Sequence, residues 1–139
     1  MIVLDTNVIS ELMRGNPNES VVSWVRSVRD DFAITSITLA EINAGLALMP
    51  QGKRQRYLAT TFATVVEPYL GTRAILPFGE AEAAIYAQVV KARSRAGRPI
   101  STADAQIAAI CLANDDVCAT RNVKDFQGTG VKLVNPWEM

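Results

Sequence analysis

The chain has 139 residues, 49% of them hydrophobic and 20% charged, which is ordinary for a globular protein, and we expect one domain over residues 1–139. Its formal net charge is zero, so bulk electrostatics do not indicate a nucleic-acid-binding protein. No apolar run approaches the roughly 20 residues that span a membrane, and no secretory signal pattern is present. The chain has no His, and Cys111 and Cys118 fit no zinc pattern. We expect both thiols to be buried in a cytoplasmic protein.

Strand and helix patterns alternate along the chain. Short runs of β-favouring residues predict strands at Ile2–Leu4, Phe32–Ser36, Ala74–Phe78, Val117–Thr120 and Val131–Pro136. Helical spacing of apolar residues predicts helices over Thr6–Arg14, after Asn18, from Thr38, over Lys53–Tyr69, over Glu80–Arg95 and from Ser101. Pro77 interrupts the third strand, which favours an edge position. The alternation predicts an α/β fold with a mainly parallel sheet of four or five strands.

Acidic and amide residues follow the predicted strands or begin the predicted helices. Asp5 comes directly after the first strand, and Asn122 and Asp125 follow the fourth. Glu41 and Asp104 lie in the first turns of two predicted helices. In open α/β sheets, ligands bind beyond the carboxyl ends of the strands, where strand order reverses. We therefore expect these side chains to meet at one end of the sheet.

Each acid, taken alone, also fits a structural role. The segments Thr38–Glu41 and Ser101–Asp104 resemble capping boxes, in which a hydroxyl residue is followed three positions later by an acid. Asp5 fits the cap of the helix that follows it. The individual residues therefore leave open the alternative that these acids only cap helices.

The acids as a set indicate a bound cation. Two carboxylates about 4 Å apart repel by roughly 4 kcal/mol at an effective dielectric near 20, and a divalent cation offsets this repulsion. Oxygen ligands without His or Cys are typical of Mg²⁺ or Mn²⁺ sites. A cation with open coordination positions clamps a phosphate and activates water. The pattern therefore predicts metal-dependent phosphodiester hydrolysis.

The motifs that carry these residues resemble those of the PIN-domain ribonucleases, in particular the VapC/FitB toxins of bacterial toxin–antitoxin pairs. The motifs are MIVLDTNVIS at residues 1–10, TLAEI at 38–42, STADAQIAA at 101–109, ATRNVKDF at 119–126 and NPW at 135–137. The resemblance covers essentially the whole chain. It implies a three-layer α/β/α sandwich in which an acidic quartet holds one or two Mg²⁺ or Mn²⁺ ions at the carboxyl end of a parallel sheet.

By motif position, Asp5, Glu41 and Asp104 resemble the first three acids, which implies that they are metal ligands and catalytic residues. Asn122 stands where some relatives have the fourth acid, and Asp125 follows three residues later as a further catalytic candidate. Because Asn supplies an oxygen but no charge, we expect one bound ion in the resting enzyme.

Three neighbouring polar residues, Thr6, Thr120 and Asn122, are candidates for holding the ligating groups from behind. The two threonines lie where hydroxyl groups can support a carboxylate or a water molecule at the metal. They also fit the hydrogen-bonding pattern of ordinary strand ends.

Basic residues near the predicted site are candidates for RNA binding. Arg93, Arg95 and Arg98 lead towards Asp104 without an intervening acid, and Arg121 adjoins Asn122. These arginines predict a phosphate-binding strip, although cations also suit the solvated end of a helix. Few aromatic residues are spare for base stacking, so no single-strand stacking platform is expected.

The resemblance further implies an RNA substrate, a homodimer, and a small antitoxin that carries a DNA-binding domain and crosses the active-site groove. Two other classes stay open: a non-catalytic PIN-like partner in a DNA-binding complex, and another Mg²⁺-dependent phosphoryl-transfer enzyme. The retained acids argue against the first class. Against an aspartyl-nucleophile phosphatase, Asn7 occupies the position where a second acid is expected.

Overall fold

A computed structural model describes residues 1–139. Its five strands are β1 (Ile2–Leu4), β2 (Phe32–Thr35), β3 (Ile75–Leu76), β4 (Val117–Ala119) and β5 (Leu133–Val134). Its seven α-helices are α1 (Thr6–Leu12), α2 (Glu19–Ser27), α3 (Ser36–Leu48), α4 (Lys53–Val66), α5 (Glu80–Arg95), α6 (Thr102–Asn114) and α7 (Val123–Phe126). A short 3₁₀ helix at Pro136–Glu138 packs against α2.

The strands form one parallel sheet in the order β3-β2-β1-β4-β5. The chain leaves β1 towards β2 on one side and returns to β4 on the other, so strand order reverses between β1 and β4. This reversal opens a crevice at the carboxyl ends of those two strands, directly beside Asp5. The sequence prediction that β3 is an edge strand is confirmed.

Two hydrophobic cores of 11 buried residues each lie on opposite faces of the sheet. One packs β1, β2 and β4 against α5, α6 and α7, with Ile107 and Phe126 almost fully buried. The other packs the sheet against the first four helices around Ile9 and Phe62. Helices cover both faces because a parallel sheet presents apolar side chains on both. The predicted α/β/α sandwich is confirmed. No helix in the structure is long and apolar enough to cross a membrane.

The start of α3 differs from the sequence prediction. The helix begins at Ser36 rather than Thr38, because the Thr35 hydroxyl accepts the Thr38 backbone N–H at 3.0 Å and caps the first turn. Glu41 therefore lies beyond the first turn and belongs to no capping box. Burial of Cys111 and Cys118, as expected, is confirmed.

Helix α7 was not predicted. Residues 123–126 form one short helical turn after β4, and Phe126 anchors it in the core. The turn places Asp125 on a helix rather than in an irregular loop. Four residues are too few to display the apolar periodicity by which longer helices are recognised.

Candidate active site

Asp5 is the most buried acid of the site. It is only 4% exposed, although β1 delivers it to the carboxyl edge of the sheet. Its Oδ1 accepts the Thr6 backbone N–H at 2.8 Å, and its Oδ2 accepts the Thr120 hydroxyl at 2.7 Å and the Asn7 amide at 3.1 Å. Asp5 therefore caps α1, as the structural alternative proposed. Its Oδ2, however, takes no part in the cap and is held by the side chains of Asn7 and Thr120.

The pKa of Asp5 is raised from an ordinary 3.8 to about 6. Burial is the largest cause, and hydrogen bonds from Thr120 and Thr6 partly oppose it. The negative charges of Asp104 and Glu41 raise the pKa further. A carboxylate in this environment gains stability from any cation that comes near it.

A row of three threonine hydroxyls leads to Glu41. The Thr6 hydroxyl donates to Glu41 Oε1 at 2.7 Å and lies 3.0 Å from the Thr38 hydroxyl. The Thr35 hydroxyl donates to that of Thr38 at 3.4 Å. Because the carboxylate only accepts and each hydroxyl has one proton, the protons point along the row towards Glu41. The buried Thr38 and Thr35 thereby hold an exposed carboxylate in place.

Asp104 lies in the first turn of α6. The Ser101 hydroxyl accepts the Asp104 backbone N–H at 3.2 Å, so the predicted start of this helix is confirmed. Burial raises the pKa of Asp104, and the Ser101 hydroxyl partly opposes this. The charges of Asp125 and Glu41 raise the pKa, and that of Arg93 lowers it.

The structure brings Asp5, Glu41 and Asp104 to one cleft of about 360 Å³, although they come from β1, α3 and α6. No side-chain nitrogen of Lys or Arg lies within 4 Å of an oxygen of any of these carboxylates, since the two ion pairs of the molecule are elsewhere. The three carboxylates are not arranged closely enough to form a complete set of metal ligands by themselves. The cleft thus gathers three acids, none of which forms an ion pair within the protein.

Asn122 and Asp125 occupy different positions relative to this cleft. Asn122 lines it, and its backbone N–H donates to the Thr120 hydroxyl at 3.0 Å. Asp125 lines an adjoining cavity, yet its charge acts on Asp104. Of the two candidates for the fourth acidic position, the uncharged one therefore faces the first three acids.

Arg93 was predicted to bind RNA, and the structure contradicts this. Its side chain is buried, with the residue only 5% exposed. The guanidinium donates to the backbone carbonyls of Arg98, Lys124, Asp125 and Gln127 at 2.6, 3.3, 2.8 and 2.7 Å. These bonds tie α5 to the segment around α7 and engage Nε and Nη1, so the buried guanidinium acts within the protein rather than at its surface.

The other three arginine candidates are exposed. Arg121 lines the acidic cleft, with its guanidinium 5.3 Å from the centre of the Trp137 ring. Arg98 donates to Gln127 Oε1 at 3.2 Å beside the adjoining cavity. Arg95 lines neither cavity. The structure therefore places only Arg121 directly in the cleft.

Several cleft residues were missing from the predicted site. Asn7 binds Asp5 and Thr120 through its amide nitrogen, at 3.1 and 3.2 Å, and accepts the Arg121 backbone N–H at 3.2 Å. Its position two residues after Asp5 could have predicted that the two side chains lie close together. Glu11 and Trp137 also line the cleft, but nothing in the sequence brings either of them near Asp5.

Comparisons with known proteins identify the family of this chain. The family model described as PIN domain matches residues 2–131. The chain is 41% identical to Toxin FitB of Neisseria gonorrhoeae over 138 residues, with 99% of each chain covered. It is 38% identical to VapC ribonuclease Y4jK of Sinorhizobium fredii over 139 residues, with 99% of each chain covered.

A solved structure of FitAB bound to IR36 DNA fragment contains a chain with the same fold. It superposes with a TM-score of 0.90 at 40% sequence identity, covering 100% of this chain and 97% of that one. The match of both sequence and fold over nearly the full length leaves one assignment. The chain belongs to the PIN-domain family.

Proposed function

We propose that this protein is a Mg²⁺- or Mn²⁺-dependent endoribonuclease and the toxin of a type II toxin–antitoxin pair. The observation that carries the proposal is the cleft itself, which is lined by three acids from separate elements that form no ion pair within the protein. The names of the similar proteins, a toxin and a ribonuclease, support the biological role.

The donor set fits a hard divalent cation. Asp5 and Asp104 would hold it directly, and Glu41 directly or through water, because all three offer only oxygen. Asn122 adds a neutral oxygen at the same cleft, which favours one tightly bound ion over two. When bound, such a cation supplies Lewis-acid activation of water and charge neutralisation of the scissile phosphate.

The chain's own residues orient and balance the site. Thr120 and Asn7 hold Asp5 Oδ2, and the Thr6 hydroxyl donates to Glu41 Oε1 and orients that carboxylate. Arg121 lies at the cleft wall as a planar cation, suited to a phosphate oxygen. Arg95 and Arg98 remain candidates for contacts further along the strand.

The proposed partners follow from the similar structures. FitAB was solved bound to DNA, which supports a protein partner with a DNA-binding part for this chain. We further propose a homodimer and a cytoplasmic location. A small antitoxin that occupies the acidic cleft would suppress cleavage until it is removed.

Titration calorimetry with Mn²⁺ tests the metal site. Wild-type protein should bind the ion, and Asp5→Asn should bind at least about tenfold more weakly, since a charged ligand is lost. Glu67→Gln, an exposed acid remote from the cleft, is the matched control and should bind as wild type does. Equal binding by wild type and Asp5→Asn would contradict the assignment. Cleavage of RNA that survives exhaustive chelation would contradict metal dependence.

A further inference from the structure

A second cavity of about 450 Å³ adjoins the acidic cleft and shares Arg121 and Asn122 with it. Val123 is the only hydrophobic residue in its lining. The cavity therefore suits a polar ligand, and its position makes it accessible to a molecule already held in the cleft.

Three side-chain amides line this cavity: Asn122, Gln127 and Asn135. The carbonyl oxygen of Gln127 accepts from Arg98 at 3.2 Å, and that of Asn135 accepts the Trp137 backbone N–H at 3.0 Å. These bonds orient both amides and leave their NH₂ groups without a partner in the protein. The Asn122 side chain makes no hydrogen bond that caps α7. The lining thus offers oriented donors that have no internal role.

Arg121 marks the boundary between the two cavities. Its guanidinium lies over the Trp137 ring, within the distance of a cation–π contact. A planar cation in this position can take a phosphate whose ester bond lies in the acidic cleft. The nucleotide attached to that phosphate then has its base next to the second cavity.

We propose that the second cavity is a nucleobase subsite that makes cleavage selective for the nucleotide beside the scissile phosphate. This inference rests on the proposed ribonuclease function. Unstacked bases of single-stranded RNA are typically read by hydrogen bonds to their edges. Guanine fits the lining best, because its N7 and O6 match the amide donors while its N1–H and N2–H₂ groups match a carboxylate such as Glu138.

Nucleotide binding can be tested without catalysis. Metal-free protein labelled with ¹⁵N is titrated with guanosine 5′-monophosphate and, separately, with cytidine 5′-monophosphate. The side-chain amide resonances of Gln127 and Asn135 should shift with the guanine nucleotide more than with the cytosine one. The exposed amide of Gln88 on α5 lines neither cavity and should not shift. Equal shifts with both nucleotides, or none at Gln127 and Asn135, would overturn the subsite.

Cleavage selectivity gives a second test. The substrates are RNA oligonucleotides that differ only at the nucleotide beside the cut, and the variant is Gln127→Glu, which keeps the side-chain shape but removes the donor. The wild-type preference in kcat/KM for guanine should fall about tenfold, as for loss of one base-edge contact. Cleavage of the non-preferred substrates should change less than about threefold, because the acids are untouched. Gln88→Glu is the control and should keep the wild-type preference.

Other outcomes separate the two proposals. A Gln127→Glu variant that retains the base preference, or loses activity uniformly on all substrates, would overturn the subsite. Retained preference with weakened antitoxin binding would instead make the cavity a protein-docking site. If wild-type protein cleaves no RNA, the ribonuclease proposal fails, whereas the nucleotide titration still decides whether the cavity binds a base.

Discussion

Two buried acids in the same cleft, Glu11 and Asp5, differ in whether a positive charge pairs with them. Glu11 is 6% exposed, pairs with Arg14 at 3.0 Å and accepts the Asn18 backbone N–H at 3.0 Å. Asp5 is buried to a similar degree, but its partners are a hydroxyl, an amide and one backbone N–H. Glu11 thus joins α1 to the start of α2 as a neutralised element of structure. Asp5 forms no ion pair, so its carboxylate is free to bind a cation in the cleft.

The comparison extends to the arginines. Arg93 is buried and donates to four backbone carbonyls, so it acts as an internal tie. Arg121 is exposed and rests on an aromatic ring at the cleft wall. In both pairs, the structural charge is satisfied within the protein and the candidate functional charge is not.

The largest expected effect is that of Asp104→Asn on catalysis. RNA cleavage should fall by more than the roughly 10- to 100-fold typical of losing a group that only orients a metal ligand. The melting temperature of metal-free protein should be unchanged or raised, because one repelling charge is removed. Initial cleavage rates and thermal melts of the same preparation provide the measurement. Normal cleavage by the variant would show that Asp104 has only a structural role in the first turn of α6.

Arg93→Met should lower the free energy of unfolding by at least about 3 kcal/mol, since four partly buried hydrogen bonds to backbone carbonyls lose their charged donor. Arg95→Met on the same helix is the control, and should stay within about 0.5 kcal/mol of wild type because Arg95 is exposed. Urea denaturation of both variants measures the difference. Equal stability of the two would show that the internal tie contributes nothing.

Asp5 makes the stability of metal-free protein depend on pH. Its folded pKa of about 6 lies above its ordinary 3.8, so the folded state binds more protons in this window and stability falls as pH rises through it. The full loss at pH 7 is up to roughly 3 kcal/mol. The raised pKa of Asp104 acts in the same direction.

Asp5→Asn should therefore be more stable than wild type at pH 7 and show a shallower fall between pH 4 and about 6. Urea denaturation at a series of pH values, with chelator present, measures both. Saturating Mn²⁺ should stabilise wild type at pH 7 by at least about 1 kcal/mol more than the variant, in keeping with the weaker binding expected of Asp5→Asn. A variant with the full wild-type slope would assign the pH dependence to other groups.

Glu11→Ala should show the reverse signature of Asp104→Asn. Stability should fall by about 2 kcal/mol, because the Asn18 N–H loses its acceptor and Arg14 loses its partner. RNA cleavage, measured well below the melting temperature, should remain within about twofold of wild type. A large loss of cleavage in a folded variant would show that Glu11 contributes to catalysis and not only to stability.

The smallest expected effect concerns the fourth acidic position. Asn122→Asp should tighten Mn²⁺ binding severalfold, because it adds a charged oxygen to the cleft. Asp125→Ala should reduce cleavage modestly, because a negative charge close enough to act on Asp104 no longer helps to attract the cation. Cleavage rate against Mn²⁺ concentration compares wild type with both variants. Coincident curves for all three would leave Asp5, Glu41 and Asp104 to act alone.

The sequence by itself determined the features that depend on local order. Alternating strand and helix patterns predicted the α/β fold with its parallel sheet, and Ser101 marked the start of α6. The position of Asp5 after the first strand also predicted that this residue lies at the carboxyl end of the sheet, because parallel strands end at a common edge. These features follow from neighbouring residues, whose backbone preferences and hydrogen bonds act within a few positions of one another.

Only the tertiary structure decided which charges are satisfied. The donors of Arg93 reach carbonyls 31 to 34 residues away, and Asp5 meets Thr120 across 115 residues. A side chain's sequence neighbours do not reveal such partners, so Arg93 was wrongly predicted to be a surface cation. The second cavity likewise exists only because α7 and the C-terminal 3₁₀ helix come together beside the cleft. Burial and long-range hydrogen bonds, which depend on the packed fold, separate the structural charges from the functional ones.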